Sequence, residues 1–117
     1  MIIEGKEYKF KKLGMGRFAR AQYLSVRISE ESQIVFNAIG MKGEGEDERA
    51  VSTVSEERFD KAYNDLKHLW LEFVGLVIEG DLTTLSDFDS LPFGASKIIM
   101  DDFRQAADGI VPKSAAA

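Results

Sequence analysis

A chain of 117 residues is long enough to bury one hydrophobic core without staples, and the absence of cysteine excludes a disulfide framework, a thiolate nucleophile and a thiolate metal site. The formal charge of −5 is uneven: residues 1–27 carry seven Lys/Arg against two Asp/Glu, and the remainder is strongly acidic. Broad nucleic-acid binding is therefore not expected, because phosphate neutralisation needs an extended basic surface. A solvated strand face is the plainer account of the basic head, and a docking face for an acidic partner is the sharper one.

Residues 1–13, MIIEGKEYKFKKL, place Ile2 and Ile3 before Gly5 and Lys6, then alternate Tyr8 and Phe10 with Lys9 and Lys11. This period of two, with a turn inside it, predicts a small β-hairpin in which Gly5 supplies a positive φ and the lysines face water or blunt an edge. Such a hairpin needs a helix to lie on. The ten opening residues have no basic region leading into an apolar core and no small-residue cleavage site, so no secretory signal is expected; the lack of cysteine fits a reducing compartment, and a cytoplasmic location is expected.

From Gly14-Met15-Gly16 onward, Phe18, Ala21, Leu24 or Ser25, and Ile28 recur at steps of three and four, which predicts a helix. Leu24, Val26 and Ile28 also alternate as a short strand would, but Arg17, Ala19, Arg20, Ala21 and Gln22 are good helix formers and tip the choice. Ser29-Glu30-Glu31 resembles a second helix start, an N-cap followed by carboxylates at the positive end of the dipole, ahead of Ile34, Val35, Ala38 and Ile39. One kinked helix and two separate helices both fit. Residues 40–48, GMKGEGEDE, hold three glycines and four carboxylates and predict a mobile loop.

Ser55 caps the clearest element, with Glu56 and Glu57 in its first turn, although Arg58 stands where a capping box would place Glu or Gln. Phe59, Tyr63, Leu66, Trp70, Phe73 and Val77 form an a/d seam. Leu69, Leu71, Val74, Leu76 and Ile78 then widen that seam almost to the full circumference, and Gly80 is placed to end the helix. The apolar run at 69–78 is interrupted by Glu72 and is far shorter than the ~20 residues a membrane span needs, so no membrane segment is expected. A helix that is apolar nearly all round in its second half has to be covered on more than one side.

Residues 81–93, DLTTLSDFDSLPF, read as a turn region pinned by Leu82, Leu85, Phe88 and Leu91, with Pro92 at the first position of a helix. That last helix, over about 93–108, carries Ala95, Ile98, Ile99, Met100, Phe103 and Ala106 before Gly109 stops it. The expected fold is mainly α, with a small N-terminal β-hairpin packed on a compact bundle of about three to four helices. It forms one domain over 1–112, followed by a disordered tail at 113–117.

Little in this pattern carries bond-making chemistry. His68 lies one position off the seam with no second His or Cys to complete a zinc set, and it reads as structural or exposed. No G-x-S-x-G elbow and no Gly-Lys-Ser/Thr occur, and Gly14-Met15-Gly16 has Ala19 where a dinucleotide fingerprint needs glycine. Leu91 and Pro92 break the calcium-loop spacing that Asp87 and Asp89 suggest, and adjacent Asp101 and Asp102 diverge on a helix as a solvated face. No catalytic, cofactor-binding or metal-binding residue is expected.

What remains is apolar excess, above all at 69–78 and 98–103, which either packs a core or marks an interface. Core is the plainer reading. The candidate partner-binding residues are Phe59, Trp70, Phe73, Val77, Ile98, Met100 and Phe103.

The stretches GKEYKFKKLGMGRFARA, the acidic loop at 43–48, the long apolar helix at 55–80 and LSDFDSLPFGASKIIMDDF together resemble the small tail assembly chaperones of long-tailed bacteriophages and prophages. The resemblance implies a mostly helical, non-enzymatic protein of the bacterial host cytoplasm without cofactors. Such a protein keeps the tape measure protein soluble while the tail tube assembles around it, and it is a weak homo-oligomer. Its partners would be the tape measure protein and the tail tube protein, held in apolar grooves suited to a long helical client. The rival reading is a small acid-rich regulator or inhibitor that binds one protein partner through its basic N-terminal face.

Overall fold

The computed structural model describes residues 1–42, 49–92 and 94–108. The protein is mainly helical, and the described residues form four α-helices and a small N-terminal antiparallel hairpin. In that hairpin β1 (Ile2–Ile3) pairs with β2 (Lys6–Glu7), Ile2 opposite Glu7 and Ile3 opposite Lys6. Glu4 and Gly5 both take positive φ, 50° and 79°, which matches the twist that a two-residue hairpin turn demands. Gly5 was the expected turn residue, and Glu4 shares the conformation.

The hairpin is shorter than the period-two pattern suggests. Past the buried Tyr8, β3 (Lys9–Phe10) leaves it and pairs antiparallel with β6 (Ile78–Glu79), Phe10 opposite Ile78. A strand carrying inward Phe10 satisfies its backbone better against a second partner than as an overhang of a two-stranded ribbon.

α1 (Met15–Phe36) is one continuous helix, and Ser29 does not interrupt it. The buried stripe Phe18, Ala21, Leu24, Ser25, Ile28, Glu31 and Val35 keeps helical spacing across the supposed boundary, so packing overrides the local cap signal. Glu31, read as a first-turn carboxylate, is instead buried in mid-helix. Ile39, expected in a second helix, begins β4 (Ile39–Lys42), which pairs antiparallel with β5 (Arg49–Ser52). Part of the expected loop is therefore strand, and residues 43–48 lie outside the described residues. The base of this ribbon is clamped by Thr53, whose amide and hydroxyl both donate to the Ala38 carbonyl, at 2.6 and 2.8 Å.

α2 (Glu56–Val77) starts as its sequence says, with the Arg58 amide donating to Ser55 Oγ at 3.1 Å. It runs antiparallel to α1, as ion pairs near its two ends show: Arg20 with Glu72, and Arg58 with Glu31. Leu66, Trp70, Phe73, Val74 and Val77 are fully buried, whereas Leu71 is 52% exposed, so the helix is not covered all round. It ends at Val77, short of Gly80, because Ile78 turns extended to meet β3; Gly80, at φ 98°, makes the turn that follows.

α3 (Thr83–Ser86) and the 3₁₀ turn Phe88–Ser90 occupy the expected turn region. Asp81 accepts from the Thr83 amide and hydroxyl, and Asp87 accepts from the Asp89 amide. α4 (Ala95–Asp108) begins later than the expected 93: Pro92 lies ahead of it, and the Pro92 carbonyl accepts from the Ala95 amide at 3.0 Å. Ala95, Ile99, Met100, Phe103 and Ala107 face the core, while Ile98 and Ala106 are exposed. The expected stop at Gly109 and the expected tail disorder fall outside the described residues.

Candidate functional site

An apolar concavity forms where the N-terminal strand crosses the C-terminal end of α2. The Lys11 amide donates to the Val77 carbonyl at 2.8 Å and Lys11 Nζ donates to the Gly75 carbonyl at 3.1 Å. These bonds satisfy carbonyls that the last turn of a helix leaves open, and they put a cation at the negative end of its dipole. The segment after β3 is thereby held across α2 and delivers Phe10, Leu13 and the start of α1 to the same place.

The result is a groove of about 280 Å³. Phe10 and Leu13 form one wall, Met15 and Phe18 of α1 a second, and Phe103, Ala106 and Ala107 of α4 a third, with Val77 contributing from α2. Phe103 organises the floor: its ring lies 6.2 Å from Phe10, 6.1 Å from Phe18 and 5.1 Å from Phe73, the last edge-on at 85°. Met15 stands 75% exposed at the lip. Lys11 and Lys12, both exposed, are the charged members of the lining.

The seven residues expected to bind a partner do not form one site. Val77 and Phe103 do line the groove. Phe73 is 0% exposed and packs behind Phe103, and Trp70 is likewise enclosed, its indole N–H donating to the Leu85 carbonyl at 2.7 Å. Both support the groove from within, because their seam positions face α1 and the core. Phe59 stacks on Tyr63 at the opposite end of α2, about 27 Å from Val77 along the axis at 1.5 Å per residue. Met100 faces a shallow cleft beside Ile28, Lys97 and Arg104, and Ile98 is 41% exposed. Phe10, Leu13, Met15 and Phe18 were not foreseen as site residues, because local spacing gives no sign that residues 10–18 meet residues 103–107.

Polar groups elsewhere are engaged in joining elements. The Tyr63 hydroxyl donates to Asp89, and Lys67 Nζ lies 3.3 Å from the other carboxylate oxygen. The hydroxyl and then the ammonium hold the Asp89 carboxyl below its ordinary value, and the same hydrogen bond pushes the Tyr63 phenol up. Asp101 pairs with Lys97 at 2.7 Å and with Arg104 at 3.6 Å. His68 is exposed. Among the described residues no group of three His, Asp or Glu side chains is placed to hold a metal ion.

Comparison with protein families, curated proteins and solved structures found no match for the chain. Among the described residues no helix is long and apolar enough to cross a membrane.

Proposed function

We propose that this protein is a non-enzymatic assembly chaperone that receives an apolar segment of a larger protein client in the groove over Phe103. The observation that carries the reading is the lining itself: apolar side chains from β3, α1, α2 and α4, with lysine as the only charged residue type among the described residues. At about 280 Å³ the groove lies just under the roughly 300–1,000 Å³ of small-molecule sites, a size that suits one or two large side chains of a polypeptide. One such anchor binds weakly. Several copies along a long client gain by multivalency what a single contact lacks, which suits a partner that must later be released.

The resemblance to tail assembly chaperones of long-tailed phages gives this reading its specific form. The client is then the tape measure protein, the tail tube protein is a further partner, the copies associate weakly, and the setting is the cytoplasm of the bacterial host. The genes beside this one test it. A tail tube gene before it, a very long helical reading frame after it and a slippery run near its stop codon are the expected surroundings. Metabolic or regulatory neighbours would contradict the phage assignment and favour the regulator that binds one partner.

A further inference from the structure

The groove has a charge as well as a shape. Lys11 Nζ is held by the Gly75 carbonyl, but Lys12, which also lines the groove, makes no ion pair among the described residues. Among the described residues no acidic side chain belongs to the lining, although the chain as a whole is acidic. A partner segment that placed lysine or arginine here would meet two like charges, whereas one that placed aspartate or glutamate would meet, in Lys12, a cation with no ion pair among the described residues.

We infer that the occupant is an acidic-flanked apolar segment of another protein, a large apolar side chain seated against Met15, Phe18 and Phe103 with a neighbouring carboxylate on Lys12. The inference rests on the reading of this groove as the client site and names the chemistry of what enters it. A free anion does not account for the apolar floor, and a purely apolar peptide makes no use of the two lysines in the lining. Charge decides which apolar segments are accepted, since complementary rim charges speed encounter and suppress wrong partners more than they add affinity.

The test uses two short fluorescein-labelled peptides with the same leucine–phenylalanine centre, one flanked by glutamates and one by lysines, titrated with the full chain by fluorescence polarisation. The glutamate peptide is expected to bind more tightly, and more weakly as salt rises. Lys12→Glu is expected to weaken it on the order of tenfold and to strengthen the lysine peptide. Met15→Gln, a change at a highly exposed position that leaves the core intact, is expected to weaken both. Equal affinities for the two peptides, or a preference for lysine flanks, would overturn the charge inference alone, provided Met15→Gln still weakens both. No binding of either peptide, or binding indifferent to Met15→Gln, would overturn the groove reading and the inference with it. Self-association of the wild type that Lys12→Glu disperses would make a second copy the occupant and also overturn the proposal.

Discussion

The indole nitrogen of Trp70 donates to the backbone carbonyl of Leu85 across 2.7 Å of core, and neither residue is exposed to solvent. The bond ties the short helix α3 to the middle of α2. A four-residue helix cannot satisfy its own carbonyls, so this buried acceptor depends on the indole. Trp70→Ala is expected to cost about 3–5 kcal/mol, a large share of the 5–15 kcal/mol typical of a domain. Trp70→Phe keeps most of the apolar volume but strands the carbonyl, and is expected to cost about 1–3 kcal/mol. Urea unfolding separates the two. A Trp70→Phe protein as stable as wild type would show that the hydrogen bond contributes nothing.

Glu31 is 5% exposed, with Arg27 at 3.2 Å and Arg58 at 3.9 Å, and its second carboxylate oxygen has no hydrogen-bond partner. Both arginines reach solvent, so removing the buried member leaves no stranded charge, whereas removing an arginine does. Glu31→Met is therefore expected to be neutral or stabilising, by up to about 1 kcal/mol. Arg27→Met is expected to be the more damaging change. Thermal melting of the two variants gives the order, and a reversed order would mean that the ion pair from Glu31 to Arg58 holds α1 to α2.

Four carboxyls are held below their ordinary values: Glu72 by hydrogen bonds from Arg20, Asp81 by Thr83, Asp89 by Tyr63 and Lys67, and Asp101 by Lys97. A group whose folded pKa lies below its unfolded pKa contributes stability above the unfolded value and loses it as pH falls through the folded one. The contribution of these groups is complete at neutrality and fades below the ordinary carboxylate range. Water screens all four, so the slope should be shallow. Unfolding midpoints measured down the acid side check this, and Glu72→Gln should remove part of the slope. Midpoints that rise on acidification would contradict it.

Asp101 is a surface partner, with Lys97 four residues before it, the weaker orientation for a helical ion pair. Asp101→Asn should leave the unfolding midpoint within error. A clear loss would assign the pair a structural role that its exposure does not suggest.

Much of the fold is legible in the sequence because it is local. The Ser55 cap, the seam from Leu66 to Val77 and the turn at Gly5 each depend on neighbours within a few positions. What escapes is long-range. Ser29 caps nothing because α1 packs continuously on α2, and Ile78 leaves its helix because Phe10 needs a ladder partner. Leu71 is apolar yet exposed, which spacing alone does not distinguish from cover by a neighbour. The groove fails to show for the same reason: its walls come from residues 10–18, 77 and 103–107, which are brought together by the β3–β6 pairing and by the packing of Phe103 on Phe10, Phe18 and Phe73. Val77 and Phe103 were legible as apolar, but not as the floor of an opening.

The central claim is that a protein client is held in the groove over Phe103, and co-expression with the product of the long helical reading frame expected beside this gene tests it most directly. The amount of client remaining soluble and co-purifying is measured with the wild type and with Met15→Gln. A soluble complex is expected with the wild type and a marked loss with the variant, although the variant itself folds normally. A client that is equally soluble with both proteins, or with neither, would contradict it.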